Sequence, residues 1–252
     1  CADISFIRKG EVTMKIKQIA AVVLTAAMVT AGGAAESAGS YKVGWKVTFS
    51  LPDNQDSAGF DKNLWEAGGT KIGVAEPTYV VEKCTDSATG AVLTVSSVDA
   101  TGALMCQPKV DLNKYPVMRW KWRAITLPKG ADGRDPRKDD QAMVLYIGAK
   151  SFLKNKSISY RWETETPVGI TGKASYGGGL GQVWYEVLQN KENHVGEWVV
   201  EERNVRDDFK KVYGYVPDEF ALSIGANSQY TGSSSKAQIE YIEFIAPEKS
   251  GN

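Results

Sequence analysis

The chain has 252 residues, 42% of them hydrophobic, 10% aromatic and 24% charged, with 30 basic and 30 acidic side chains and a formal net charge of +0. That length and apolar content suffice for one large hydrophobic core. A balanced charge gives no electrostatic case for a nucleic-acid partner.

From Met14 the sequence reads Lys15 and Lys17, an apolar run over 19–29, and small residues through Ala35. A basic start, a short apolar core and a small-residue exit make a secretory signal. The run is too short to cross a hydrocarbon layer of about 30 Å as a stable helix, and no long apolar segment follows. The expectation is a periplasmic or secreted protein whose mature part is not inserted in a membrane. Residues 1–13 read as leader sequence upstream of the start, 14–35 as the signal peptide and 36–252 as a single β-sandwich domain. Removing Arg8, Lys9, Lys15 and Lys17 together with Asp3 and Glu11 leaves 26 basic against 28 acidic residues. Cys84 and Cys106 then remain as an even pair in an exported protein, where oxidising conditions favour a bridge. The expected Cys84–Cys106 disulfide would close a loop of about twenty residues and stabilise the fold by about 3 kcal/mol.

Strand-length runs of alternating or β-branched residues follow at 43–49, 78–82, 91–98, 117–125, 141–148, 157–162, 183–188, 198–204, 220–226 and 237–245, with Gly, Pro, Asn and Asp between them. This pattern predicts an all-β fold, an antiparallel two-sheet sandwich of jelly-roll type. One segment departs from it. Val205, Phe209 and Val212 fall at helical spacing, with Asp207 and Asp208 first, Lys210 and Lys211 later and Gly214 at the exit, which predicts a short helix over 205–213 closing one end of the sandwich. In 117–123, period-two alternation places Met118, Trp120 and Trp122 on one face and Arg119, Lys121 and Arg123 on the other, so the second face is expected to be wet.

The string Tyr115-Pro116, 119–123, Pro128, 130–132 and Asp139-Asp140 resembles an uncharacterised bacterial family, domain of unknown function 3047. So do Tyr160-Arg161-Trp162 with Pro167 and Gly169, 198–205 running into Asp207-Asp208-Phe209, and Tyr213-Gly214. The resemblance implies an exported sandwich and carries no established activity. It also implies an Arg shortly after the paired acids, where this chain has Met143, and an acidic stretch near the C-terminus, where this chain has 226–232.

Several kinds of chemistry can be weighed on residue types alone. The single histidine, His194, sits in a polar stretch with no Cys or second His to complete a zinc set, and no Gly-x-Ser-x-Gly elbow occurs. No cofactor is implied. The acids of 132–140 suit a structural calcium ion by oxygen density, but Arg134, Arg137 and Lys138 stand among them, and pairing with Arg119, Arg123 or Arg134 is the simpler reading. Asp139, Asp140, Glu163, Glu201 and Glu202 supply carboxylates for glycosidase chemistry, which requires a fixed separation across the bond. The glycine-rich stretch 176–181 lacks the signature of a phosphate cradle. Trp162, Trp184 and Trp198 read as packing residues before sugar platforms.

These observations favour a non-catalytic binding module with a carbohydrate-type ligand, an oligosaccharide or polysaccharide, and the candidate ligand residues are Arg119, Lys121, Arg123, Asp139, Asp140, Tyr160, Trp162 and Arg203. One alternative is a lyase or hydrolase acting on an acidic polysaccharide, with Tyr146 or Tyr160 moving the proton and the basic stripe neutralising uronates. Another is a structural envelope protein. The exported protein should begin near Glu36 when its N-terminus is sequenced; residues ahead of Met14 in the mature chain would overturn the signal assignment.

Overall fold

Alternation on one strand organises the whole structure. In the computed structural model, which describes residues 40–149, 155–176 and 181–247, the inner side chains Met118, Trp120 and Trp122 of β7 (Val117–Thr126) are fully buried, and Arg119, Lys121 and Arg123 point the other way. The described residues form two sheets. Sheet A runs β12 (Val199–Asn204), β7, β14 (Ser234–Pro247), β5 (Ala91–Val98), β4 (Thr78–Lys83), β2 (Ser57–Gly59). Strand β14 is long enough for β5 and β1 (Tyr41–Thr48) to share one of its edges, at 234–239 and 241–247. Sheet B runs β10 (Thr171–Tyr176), β11 (Gly181–Gln189), β9 (Asn155–Trp162), β8 (Gln141–Ala149), β13 (Ala221–Asn227), β6 (Thr101–Cys106), β3 (Glu66–Gly68). Pairing between these strands is antiparallel except between β9 and β11, because β10 turns back to pair with β11 from the far side.

The core lies between the sheets and is centred on aromatic contacts from β7 to β9. Trp120 stacks on Tyr160 at 5.5 Å between ring centroids, and Trp122 meets Trp162 edge-on at 5.4 Å. All four side chains are fully buried. The ten strands expected from the sequence are present. Strands β2, β3, β6 and β10 were not expected, since two are three residues long and the others contain Gly102 and Gly172. Both glycines answer a steric need: a Cβ on Gly102 would lie 2.9 Å from Pro77 Cδ, and one on Gly172 would overlap the Tyr185 ring.

Helix α1 (Val205–Tyr213) forms where its end signals stand. The Asn204 side chain accepts from the Asp207 amide, and Gly214 closes the helix in the left-handed conformation at φ 80°. Its inner residues Val205 and Phe209 are buried, so the helix covers one end of the sandwich. Beside it, edge strand β12 turns two charges inward, Glu201 and Arg203, an arrangement that discourages pairing with another chain. Glu201 accepts from Gln189 Nε2 at 2.7 Å, and Arg203 Nη2 reaches Glu186 at 2.5 Å. Burial raises the pKa of both Glu186 and Glu201 despite these contacts.

The expected disulfide does not form: Cys84 and Cys106 are free, buried thiols. They belong to different surroundings. Cys84 follows β4 of sheet A and donates to Asp86 Oδ1 at 2.8 Å, whereas Cys106 ends β6 of sheet B inside the apolar core, where burial pushes its thiol up to about 12. The signal and leader segments lie outside the described residues, as do Gly177, Gly178, Gly179 and Leu180.

Two consequences for stability follow. Trp120→Ala should cost about 3–5 kcal/mol in denaturant unfolding, as loss of a buried aromatic does. Glu201→Gln should stabilise the protein at pH 7, by on the order of 1 kcal/mol, because it removes a half-buried charge while keeping an acceptor for Gln189. The sign follows from the raised pKa: the folded state binds the extra proton, so ionisation of Glu201 costs stability as pH rises, and the gain from the variant should vanish below the ordinary glutamate range. Unfolding midpoints of both proteins at pH 4 and pH 7 check this.

Candidate functional site

The basic stripe is the first candidate, and the structure closes it. Arg119 Nε donates to Glu243 at 2.8 Å and Nη1 to Glu202 at 3.3 Å, with the guanidinium 4.5 Å from the Tyr41 ring centroid. Lys121 Nζ lies 2.7 Å from Glu240, whose side chain is only 1% exposed. A β-bulge in β14 between Ile239 and Tyr241 makes room for this glutamate. Arg123 donates to Asp86 at 2.6 Å and to Gln238 at 2.7 Å, and its guanidinium lies 4.4 Å from the Trp198 ring centroid. Hydrogen bonds from Cys84 and then Arg123 hold Asp86 down at about 2. The outward face of sheet A is therefore a ladder of satisfied ion pairs, not a row of waiting cations. Trp198 belongs to this face and not to the core.

Tyr160, Trp162 and Arg203 lie on the opposite side of their strands, inside the sandwich. The Tyr160 hydroxyl donates to Asp208 at 2.6 Å, and burial, with Asp208 adding to it, holds its pKa well above the ordinary value. Arg203 lies between Glu186 and Asp208, 5.5 Å from the Tyr160 ring centroid. Trp162 is buried against Trp122. These three residues build the core and its polar margin. The eight residues expected to act together thus fall into three separate places.

Asp139 and Asp140 lead to the third place, on the outward face of sheet B. Asp140 accepts from the Tyr230 and Thr231 amides and the Thr231 hydroxyl, which ties the 228–233 loop to the start of β8. This is the stretch where the resemblance implied acids, and here hydroxyls and amides serve instead. Asp139 accepts from Arg161 Nη1 at 2.7 Å and from Gln141 Nε2 at 2.8 Å. Arg161, at 0% exposure, also reaches Glu163 at 3.1 Å and lies 4.0 Å from the Tyr185 ring centroid. Its position is set by the core: Tyr160 and Trp162 point inward, so Arg161 points out.

The 128–138 loop closes over this group. Glu163 accepts from the Gly133 amide at 3.0 Å and from the Thr166 hydroxyl, and Tyr185 donates to the Gly133 carbonyl at 3.2 Å. A Cβ on Gly133 would collide with the Glu163 carboxylate, so only glycine allows the approach. Arg134 forks onto Asp132 at 2.8 and 2.7 Å, and Arg137 onto Asp135. The expected partners of the loop acids were Arg119, Arg123 or Arg134; of these only Arg134 takes that role, while Arg137 pairs with Asp135, Arg161 with Asp139, and the Tyr230 and Thr231 groups hold Asp140. Among the described residues no group of three or more His, Cys, Asp or Glu side chains converges as a metal site would. His194 is an exposed loop residue with Nδ1 3.0 Å from Glu197.

Register shows how the floor is laid. Across four strands, Ser223, Tyr146, Ser159 and Tyr185 form one row, and Gly225, Val144, Arg161 and Val187 form the next. Tyr146 and Tyr185 stand two strand spacings apart, about 9.5 Å, with the short Ser159 between them. Tyr146 is half-buried, and burial pushes its hydroxyl up to about 12 against the opposing effect of Arg161. Burial also raises Tyr185 and Tyr230, with Asp139 contributing to both. Lys71 Nζ lies 5.8 Å from the Tyr230 ring centroid, beside the 97% exposed Ile72. The ring of Tyr185 thus lies on an arginine held between two carboxylates, with Tyr146 in the neighbouring row and Tyr230 beside Asp140. Arg161, Tyr185 and Tyr230 were absent from the sequence-derived candidates, and Glu163 was among them only as a carboxylate for glycosidase chemistry; alternation around Trp162 marks Arg161 as outward-facing.

No curated protein matches the chain. In structure it is similar to the family 11 carbohydrate-binding module of the cellulosomal cellulase Lic26A-Cel5E of Clostridium thermocellum, with 12% identity, a TM-score of 0.41, and coverage of 85% of this chain and 100% of that one. It is also similar to the xyloglucanase domain of NopAA, a type three effector from Sinorhizobium fredii, with 9% identity, a TM-score of 0.45, and coverage of 77% and 100%. A third similar structure is the family 12 xyloglucanase from Bacillus licheniformis, with 12% identity, a TM-score of 0.39, and coverage of 83% and 100%. Residues 64–243, which carry the β7 stripe, the Arg161 group and the helix, match the family model described as "Protein of unknown function (DUF3047)", and the chain belongs to that family.

Proposed function

We propose that the chain is an exported, non-catalytic carbohydrate-binding protein that holds its ligand on the outward face of sheet B. The observation that carries this reading is the pair of part-exposed tyrosines, Tyr146 on β8 and Tyr230 beside Asp140, at the margin of the buried group formed by Arg161 and Tyr185. Tyrosine presents an apolar face and a polar tip together, the combination that a sugar ring with its hydroxyls requires. Short side chains, Ser223 and Ser159, flank Tyr146 in its row.

The state of the carboxylates supports binding over catalysis. A glycosidase needs one carboxyl free to give a proton and another free to attack or to activate water. Asp139 is engaged by Arg161 and Gln141, and Glu163 by Arg161, Gly133 and Thr166. A lyase base at Tyr146 would need an accessible phenolate, and its hydroxyl is pushed up to about 12. Tyr160 is enclosed in the core and already donates to Asp208.

Affinity electrophoresis of the mature protein in gels carrying soluble glycans tests the reading. At least one glycan should retard the wild type, and Tyr146→Ala should lose about tenfold or more in affinity, equivalent to about 1.4 kcal/mol, with its circular dichroism unchanged. Tyr230→Ala, at the rim, is the second variant should Tyr146→Ala fold poorly. A blank panel, or full retention of binding in both folded variants, would remove this face as the site. Lys121→Ala should leave binding intact and cost about 1–3 kcal/mol of stability, because it strips the counter-ion from buried Glu240.

A further inference from the structure

We propose that the cleft between the last turn of α1 and the strands β9, β10 and β11 binds a small organic anion through Lys156 and Lys173, a site independent of the outer face of sheet B. The cleft has a volume of about 230 Å³ and is lined by Lys156, Lys173 and Gln182 together with Val212 and Tyr213 of the helix. That is below the range of about 300–1,000 Å³ usual for larger ligands, so the occupant is small. Lys156 alternates with the inward-facing Ile158 and Tyr160, and Gln182 is its register partner on β11. Lys173, exposed on β10, stands opposite Trp184. The helix end is fixed to this floor by the Tyr213 hydroxyl, which is shared between the Ser157 and Gln182 carbonyls at 2.7 and 3.1 Å.

Among the described residues neither lysine has an ion pair. The Lys156 ammonium lies 5.3 Å from the Tyr213 ring centroid and 5.1 Å from that of Tyr215, so two rings hold it by cation–π attraction and no carboxylate neutralises it. The acids nearby are engaged elsewhere. Glu186 on β11 is held by Arg203 at 2.5 Å, and Lys211 offsets its charge as well. Asp207 and Asp208 stand in the first turn of α1, where Asp208 accepts from Tyr160, and Asp218 and Glu219 line a separate cleft with Lys109. The negative end of the helix lies at Val212 and Tyr213, and Lys210 and Lys211 in that turn oppose it. In sequence, 150–154 and 177–180 adjoin the strand ends and contain Lys150 and Lys154 but no acidic residue. An anion entering the cleft therefore meets net positive charge and has no ion pair to break. Lysine acts as a compact point charge and imposes no planar fork, so a carboxylate or a sulfate group satisfies it. Val212 and the Tyr213 ring offer apolar contact to the body that carries the charge, which a bare inorganic ion lacks.

Titration of the mature protein with sodium glucuronate, followed in amide correlation spectra by NMR, tests the site. The amides of Lys156, Lys173 and Gln182 should shift at low salt, and glucose at the same concentration should leave them in place. Raising the salt from about 0.01 M to about 0.15 M should weaken the response by screening. Lys173→Ala, at an exposed position, should lower the affinity by about threefold with the rest of the spectrum unchanged. Lys156→Met, which keeps an apolar stem against the two rings, should do the same; Lys173→Ala decides the matter should that variant fold poorly. Sodium sulfate forms the second arm. A weaker response than to glucuronate supports an organic ligand, and an equal or stronger one would overturn that assignment. Absence of shifts at these amides with either anion, or unchanged affinity in folded Lys173→Ala, would remove the site altogether. Tyr146→Ala should leave the titration as it is, which keeps this outcome separate from that of the glycan reading.

Discussion

The contact of Trp120 with Tyr160, and of Trp122 with Trp162, is the constraint on which the rest of the structure depends. These rings join β7 of sheet A to β9 of sheet B across the core at 5.5 and 5.4 Å. Such aromatic pairs are worth about 0.5–1.5 kcal/mol each beyond the area they bury, and they also fix position along the strand. Side chains alternate with a period of two, so a slip by one residue would exchange the faces of either strand. For β7 that would bury Arg119, Lys121 and Arg123; for β9 it would drive Arg161 into the core in place of Tyr160 and Trp162. The four cations are thus the counterpart of the four core rings, and they mark the two outer faces of the sandwich.

The two faces treat those cations differently. On sheet A each cation meets carboxylates from neighbouring strands or from the loop after β4, and the bulge in β14 brings in Glu240 as a partner for Lys121. The result is a cross-strand network that ties β12, β7, β14 and the loop after β4 together. On sheet B Arg161 is enclosed by a loop and packs against the buried Tyr185 ring, with the part-exposed Tyr146 and Tyr230 at the margin. Arg161 there acts as a clamp beneath Tyr185: it fixes Asp139 at the start of β8 and Glu163 after β9, and through Glu163 and Gly133 it fixes the loop above. On the proposed reading this arrangement would be the supporting shell that locks the side chains of a ligand face.

Local chemistry in the sequence was enough to place the strands that carry a clear alternation, the helix with its Asn204 and Gly214 ends, and the division of β7 into apolar and charged faces. What it could not convey was pairing at long range. Nothing near Lys121 in the chain points to Glu240, and nothing near Asp139 points to Arg161, because both depend on which strands become neighbours. The bridge between Cys84 and Cys106 failed for the same reason: an even count and an oxidising compartment favour a disulfide, but the two thiols belong to different sheets and face different surroundings. Tyr160, Trp162 and Arg203 were legible as aromatic and basic residues but not as inward-facing ones. The string Tyr-Arg-Trp at 160–162 contained the missing clue, since two large rings flanking an arginine on one strand leave the arginine only the opposite face.

The same alternation explains how an arginine comes to stand on the outer side of a sheet and yet be fully buried. Arg161 is forced outward by the rings on either side of it, and a buried guanidinium demands counter-charge, which Asp139 and Glu163 provide. Once that demand is met, the cation is committed to the fold: it joins the start of β8 to the residue after β9 and seats the Tyr185 ring on its face. On the proposed carbohydrate reading, recognition would fall to the part-exposed tyrosine rings at the margin of this group, which have few torsions to freeze and carry their protons at neutral pH as any phenol does. Contacts of this type contribute modestly one by one, so affinity would grow with the number of sugar units in contact.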